Sequence, residues 1–217
     1  LDHPIEASVT PPLKFTTVTG IQPVSTVKLS STKAVVSYTA GGNTGKGTAV
    51  VLDIVDNFLV AGTPVVFHND ATYDITSTAL TSTTILVSYR DYNSSNHGTA
   101  VVLTVSEASI STGTPVVFTT ANASETVAAK LTSTKVIVAY KDVSNSNFGT
   151  ACILNVSNTT VSAGTPAIFD SGFVRNFSIS ALSETKAIVV YRDQPNSNHE
   201  TACVLTVTSS SISAGTP

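Results

Sequence analysis

Residues 41–50, GGNTGKGTAV, look like a glycine-rich loop that binds a nucleotide phosphate. A phosphate-binding loop of that type needs Gly five residues before its Gly-Lys pair, Ser or Thr after the Lys, and then a helix. Here Ala40 stands where the first Gly is needed, and Gly47 stands where Ser or Thr is needed. The following TAVVLDIV has the pattern of a strand and not of a helix. The matching segments later in the chain do not resemble a phosphate-binding loop: they read SSNHGTAV, NSNFGTAC and NSNHETAC. The sequence therefore argues against nucleotide binding.

A second candidate is a polar loop that occurs three times, with Asp at its start and Asn at its end. Oxygen-rich loops bind Ca²⁺ or sugar hydroxyls, but Asp and Asn also close turns with their own backbone. Each loop has one carboxylate and no bidentate Glu, and the first copy has Ala40 in place of Asp. These features favour the turn. Ligand binding stays open as the alternative at Asp91, Asn96, Asp142, Asn147, Asp193 and Asn198.

No catalytic or metal-binding constellation stands out in the sequence. The carboxylates occur singly, and no Ser lies in a nucleophile elbow. HETAC begins like a zinc-protease helix, but Cys203 takes the place of its second His and the segment reads as a strand. Lys28 and Lys130 hold equivalent positions in the first strands of their repeats. They either line an axial anion site, in a channel at the centre of the repeats, or face solvent. We expect no enzyme activity, no metal and no cofactor.

The elements that carry these residues come from an internal repeat. Pro64, Pro115, Pro166 and Pro217 are spaced by 51 residues, and Tyr38, Tyr89, Tyr140 and Tyr191 keep the same step. Such a period decides the architecture before local propensity does. We predict an N-terminal segment, 1–12, and a four-repeat β domain, 13–217, divided into 13–64, 65–115, 116–166 and 167–217.

Each repeat contains the pattern of four strands. The second repeat divides into YDITSTAL, TTILVSYRD, GTAVVLTVS and SISTGTPVVF, all rich in β-branched residues and joined by short polar turns. Short turns make the strands antiparallel neighbours. The Gly-Thr-Pro interruption suits an outer strand, where Pro costs no ladder bond. The middle strands are apolar on both faces, so each sheet needs a cover on both sides.

Four-stranded units packed face to face resemble the blades of the β-propeller superfamily. The resemblance covers 13–217 and rests on architecture, because the chain has no Trp and no WD dipeptide. It implies an all-β fold of four blades. SYRDYNSSNHGTA is also similar to units of secreted or tail-fibre-like repeat proteins.

A β-solenoid is the alternative, and two cysteines distinguish it from a propeller. In a solenoid, Cys152 and Cys203 would stack at about 4.8 Å, within disulfide reach. In a propeller they lie on adjacent blades, and we predict two buried free thiols.

The number of blades stays open. Four repeats could close a small ring. However, EASVTPPLKF ahead of the first repeat resembles VSAGTPAIF, as if it were the tail of another copy. We therefore expect either a larger propeller or repeat array, or closure in which the N-terminal segment replaces a strand.

Composition indicates the environment. The chain is 41% hydrophobic and only 12% charged, with a net charge of -3. It therefore lacks the basic field that nucleic acid requires, and it has no apolar run long enough for membrane insertion. Five Asn-x-Ser/Thr sequons and a hydroxyl-rich composition predict an extracellular or cell-surface glycoprotein, with candidate sites at Asn93, Asn122, Asn155, Asn158 and Asn176.

These observations predict a non-enzymatic extracellular repeat protein that presents a rigid β surface for cell adhesion or structural assembly in a fibre, appendage or cell-surface module. Its partners would be other protein subunits or copies of itself. The alternative is a carbohydrate-binding lectin with repeated shallow sites for surface glycans. The absence of Trp counts against the lectin, because sugar faces usually stack on aromatic rings.

Overall fold

The computed structural model describes residues 12–17, 24–41 and 45–216. This part of the chain is all-β, with seventeen strands and no helix. Every strand pairing in it is antiparallel, and none of the sheets closes into a barrel. The predicted N-terminal segment 1–12 lies outside the described residues except for Pro12.

The strands form four sheets in chain order, which we call sheets 1 to 4. Sheet 1 contains β1 (Val24–Lys28), β2 (Lys33–Thr39), β3 (Lys46–Val55), β4 (Phe58–Ala61) and the first half of β5 (Val65–Ala79). Sheet 2 contains the second half of β5, β6 (Thr84–Asp91), β7 (His97–Ser106), β8 (Ser109–Thr112) and the first half of β9 (Val116–Thr132).

Sheets 3 and 4 repeat the arrangement. Sheet 3 contains the second half of β9, β10 (Lys135–Asp142), β11 (Phe148–Ser157), β12 (Thr160–Ala163) and β13 (Ala167–Asp170). Sheet 4 contains β14 (Val174–Ser183), β15 (Lys186–Asp193), β16 (His199–Thr208) and β17 (Ser211–Ala214). Lys46 begins β3, so the segment that resembles a phosphate loop leads into a strand, as predicted.

The outer strand of each of the first three sheets is interrupted by Gly-Thr-Pro. In sheet 2, β8 and the start of β9 both pair with β7, on either side of Pro115. This confirms the predicted edge position, because a Pro at the break gives up no ladder bond.

Two strands belong to two sheets each. β5 pairs with β3 as far as Ala71 and with β6 from Thr72 onward. β9 passes from β7 to β10 in the same way, at Asn122 and Ala123. The chain thus runs from the last strand of one sheet, which we call its outer strand, directly into the first strand of the next, which we call its inner strand. The sheet boundaries fall shortly after the repeat boundaries in the sequence.

The sheets stack face to face. One core cluster joins sheets 1 and 2, a second joins sheets 2 and 3, and a third joins sheets 3 and 4. The repeated Tyr of β6, β10 and β15 faces the preceding sheet, where Phe67, Phe118 or Phe169 packs against its ring. Full burial of each Val, Ile or Leu in these layers is worth about 1.5–3 kcal/mol.

Stacking explains why the middle strands are apolar on both faces. It also excludes the solenoid alternative for the described chain, because equivalent strands of successive repeats face one another across side-chain layers and do not hydrogen-bond in parallel. Cys152 and Cys203 are buried free thiols in different core clusters, as predicted.

Candidate functional site

The candidate loops connect the second and third strands of each repeat, at the same end of the strands in every sheet. Each carboxylate at a loop start binds the loop's own backbone. Asp91 Oδ1 accepts a hydrogen bond from Ser94 N at 3.3 Å, and Asp142 Oδ1 accepts one from Asn145 N at 3.1 Å. Asp193 does the same with Asn196 N at 3.4 Å. In all three repeats, therefore, one oxygen of the Asp is used to close a turn.

The Asn at each loop end has a left-handed backbone, with φ of 63° at Asn96, 65° at Asn147 and 59° at Asn198. Gly45 holds the same position in the first repeat with φ of 56°. Asn tolerates this conformation better than most residues, and Gly adopts it freely. The sequence change from Gly to Asn therefore keeps one backbone geometry.

The same loop position links neighbouring sheets. Thr72 N donates to Gly45 O at 3.1 Å, and Ala123 N donates to Asn96 O at 3.0 Å. Val174 N donates to Asn147 O at 3.2 Å. The loop thus connects each sheet to the first strand of the next, which sequence reasoning missed because only the stacking brings the two segments together.

Behind the loops, the repeated Tyr hydroxyls of the second and fourth repeats meet different partners. Tyr89 Oη lies 3.1 Å from His68 Nδ1, and His68 Nε2 lies 3.2 Å from Asp91 Oδ2. Tyr191 donates to Asp170 Oδ2 at 2.6 Å. Burial raises the pKa of the Tyr89 hydroxyl, and burial followed by the Asp170 hydrogen bond raises that of Tyr191. These hydroxyls stay protonated at neutral pH, and the Tyr191 hydroxyl is the donor in its bond to Asp170.

Beside the loops, the inner strands carry a bulge whose central residue has positive φ. Asp74 stands there with φ of 51°, and its Oδ2 lies 3.0 Å from Arg90 Nε. Glu125, with φ of 54°, pairs with Lys141 Nζ and also accepts from Asn176 N in sheet 4. In both bulges, the acidic side chain thus forms an ion pair with a basic side chain on the adjacent strand.

An exposed aromatic group marks the second repeat. The rings of Tyr73 and Tyr92 meet edge to face, with centroids 5.5 Å apart. The Arg90 guanidinium lies over Tyr73, with Cζ 5.1 Å from the ring centroid. Tyr92 stands in the loop after β6 and Tyr73 lies on β5, so only the fold brings the two rings together.

The structure places the five sequons in two kinds of surroundings. Asn93, Asn158 and Asn176 are exposed, and Asn158 lies in the β11–β12 turn. Asn122 and Asn155 are half-buried, and Asn122 Oδ1 has no contact with solvent. A glycan is therefore sterically easiest at the first three sites.

Two findings concern cofactors and membranes. In the described ranges, no three His, Cys, Asp or Glu side chains are grouped so that they could hold a metal ion. None of the described residues forms a helix with the length and apolar character needed to cross a bilayer.

The chain is without a match in both comparisons with known proteins: no protein-family model matches it, and no curated protein matches it.

Proposed function

We propose that the chain is a non-enzymatic extracellular repeat module whose stacked sheets present a rigid β surface for adhesion or structural assembly. One observation carries the proposal: the polar groups that repeat most regularly are used in the fold itself. The loop carboxylates close turns, and the loop-end carbonyls bind the next sheet. Catalysis instead needs unlike groups that converge on one place.

Within this proposal, the four sheets are successive blades of a propeller-type array. The path of the chain supports the assignment, because it leaves each of the first three sheets at the outer edge and enters the next at the inner strand. Contacts between inner strands support it as well. Thr76 Oγ1 donates to Thr126 O at 2.9 Å, and Ser77 N donates to Ser25 Oγ at 2.9 Å. Small hydroxyl residues suit the crowded inner end of such a stack.

A loop variant tests the proposal against a binding role. Asp142→Ala should lower stability by about 1 kcal/mol, because it removes a turn acceptor. It should leave binding to a glycan array and turnover in a glycosidase and esterase screen at background, as for the parent chain. Glycan binding by the parent that is lost in Asp142→Ala, or turnover abolished by a single carboxylate change, would contradict the scaffold role.

The second candidate is a lectin, and the exposed Tyr73–Tyr92 pair beside Arg90 favours it. Exposed aromatic rings offer faces on which a sugar can stack. The third repeat provides the control, because Val143 occupies the position of Tyr92. Tyr92→Val should abolish binding on the glycan array if the lectin role is correct, whereas Val143→Ala should leave it unchanged. Equal binding profiles on the array for the parent chain and both variants would contradict the lectin role.

A further inference from the structure

The two ends of the stack are the two halves of the interface that the chain already builds three times between its own sheets. We propose that the outer face of sheet 4 docks onto the Tyr38 face of sheet 1 of a second copy of this chain, head to tail. The inference deepens the proposed assembly role and rests on it, because it names the partner and the surfaces.

The outer face of sheet 4 keeps the residues that neighbouring sheets bury. Leu182 is 61% exposed, whereas its equivalents Leu80 and Leu131 are 1% and 7% exposed. Val204 is 39% exposed, whereas Val102 and Ile153 are completely buried. In sheets 2 and 3 the following sheet covers these positions. This face therefore has the apolar composition of an interface, and no sheet formed by the described residues covers it.

The opposite face, on sheet 1, shows the same mismatch. Ile54 is 46% exposed and Leu59 is 41% exposed. Their equivalents in sheet 2, Val105 and Ile110, are buried against the preceding sheet. Residues 12–17 cover only the region of this face near Tyr38, where Phe15 packs edge-on with ring centroids 5.8 Å apart.

A cleft on this face fits the exposed leucine. It has a volume of about 350 Å³, and its apolar lining includes Ala34, Leu52, Ile54 and Leu59. Within the chain, Leu80 packs in one cluster with the equivalent residues of sheet 3, which are Val136, Leu154, Val156 and Val161. Leu182 lies two repeats after Leu80, and the cleft residues lie two repeats before their equivalents in sheet 3. The same contact between two copies would therefore place Leu182 of one copy in the cleft of the next.

Polar groups at the two ends match in the same way. Lys130 Nζ donates to Leu80 O at 2.6 Å across the second interface. Lys28 lines the cleft at the equivalent position and would meet Leu182 O. Neither the axial anion site nor a purely solvated role accounts for Lys130, because its ammonium bridges two sheets.

A second polar match concerns the outer hairpins. Lys33 Nζ donates to Glu107 O at 2.8 Å between sheets 1 and 2. Lys186 and Asp56 hold the equivalent positions at the two ends. Lys186 Nζ of one copy would therefore meet the Asp56 backbone carbonyl of the next.

A glycine supports the same docking. A Cβ on Gly62, Gly113 or Gly164 would overlap the carbonyl oxygen of the next sheet's hairpin, at Ala108, Thr159 and Ser210 respectively. At Gly215 the nearest atom to such a Cβ is the Val204 O of its own sheet, 3.4 Å away. A glycine at this open position is explained if a hairpin of a second copy, at Asn57, packs there.

The edge of sheet 4 would be completed as well. In sheets 1 and 2, the start of β3 and of β7 pairs with the strand that follows Gly-Thr-Pro. The described residues provide no such partner for 199–202 of β16, which pairs only with β15 and β17. Pro12-Leu13-Lys14-Phe15 matches Pro64-Val65-Val66-Phe67 and already lies over Tyr38. Docking would place this segment beside the open edge.

An interface between two different faces makes a prediction that a symmetric one does not. Leu182→Arg disables only the sheet 4 face, and Leu59→Arg disables only the sheet 1 face. Each variant alone should therefore be monomeric, at 22.4 kDa. A mixture of the two retains one intact pair of faces and should form a heterodimer of twice that mass, with nothing larger.

The experiment is size-exclusion chromatography with light scattering on the purified 217-residue chain, each variant and their mixture. Val117→Arg is the matched control, because Val117 is exposed within the stack, as are Val66 and Ile168 in the neighbouring repeats. It should associate like the parent. Val204→Arg and Ile54→Arg form a second pair, and circular dichroism selects the folded variants.

A monomeric parent chain at high concentration would overturn the inference, as would association that both face variants retain or a mixture that stays monomeric. A monomer would leave the adhesion role standing, because that role is judged separately by the glycan array and the hydrolase screen.

Discussion

At the scale of residues, the four repeated tyrosines share one packing position but differ in the groups near their hydroxyls. Tyr191 donates to the Asp170 carboxylate, whereas Tyr140 meets the Thr119 hydroxyl. Both rings are buried, so each hydroxyl needs a partner that satisfies it. The regular step of 51 residues indicated that the tyrosines share one structural position. It could not predict their partners, because Thr119 and Asp170 lie on the preceding sheet's outer strand.

This difference gives a testable contrast in stability. Tyr191→Phe should lower the free energy of unfolding by about 1.5–3 kcal/mol, since a hydrogen bond to a charged acceptor is lost. Tyr140→Phe should cost only about 0.5–1.5 kcal/mol, because its partner is a neutral hydroxyl. Urea denaturation of both variants measures the two values. Equal losses would show that the charge of the Asp170 acceptor adds nothing to folding.

The buried thiols predict how stability depends on pH. Burial raises the pKa of Cys152 from 9.0 to about 11 and also raises that of Cys203. The unfolded chain therefore loses these protons at lower pH than the folded chain. Their contribution is complete below about pH 9 and is lost as pH rises toward about 11. The raised pKa values of Tyr89 and Tyr191 act in the same direction.

Urea denaturation at a series of pH values checks this expectation. The free energy of unfolding should fall as pH rises above about 9, and Cys152→Ala should show a shallower fall. Alkylation of the native protein should be slow below that range, because neutral buried thiols are poor nucleophiles. A stability that stays constant up to about pH 11 would contradict this explanation.

At the scale of elements, the sequence predicted the strands well and their connections only in part. Four β-rich runs per repeat and a Gly-Thr-Pro break identified the strands and the outer edge, because both signals are local. The passage of β5 and β9 between sheets was not predictable, since it depends on where the strand changes partners. The bonds from Gly45 and Asn96 to the next sheet were missed for the same reason: backbone carbonyls leave no trace in residue type.

Gly164 packs against a neighbouring hairpin and Gly215 does not, so substitutions at the two positions can be compared. Gly164→Ala should destabilise the chain by about 1–3 kcal/mol, because its Cβ would overlap the Ser210 carbonyl and force the hairpin away. Gly215→Ala should change the stability of the monomer by less than that, since no hairpin within residues 12–17, 24–41 and 45–216 meets it. Thermal unfolding of the two variants provides the comparison. Similar losses at both positions would contradict the proposed spacing of the sheets.

At the scale of the whole molecule, the repeat period predicted a stack of equivalent units with antiparallel strands and two-sided burial. It did not predict how the two end faces are covered, because the residues on these faces have the same apolar character as their buried equivalents. Leu182 reads like Leu80, and Ile54 reads like Val105, until the structure shows that only one of each pair is covered. The proposed assembly therefore depends on the two partly uncovered faces at the ends of the stack.

Amide hydrogen exchange at low and high protein concentration tests this claim most directly. The middle strands β6, β7, β10 and β11 should exchange slowly at both concentrations, because the sheets around them are fixed. The β3–β4 hairpin and residues 199–202 should gain protection only at high concentration. Protection that rises at both ends together, and nowhere else, is the result that the account predicts. Exchange at the ends that is independent of concentration, or protection gained on the loop surface instead, would contradict it.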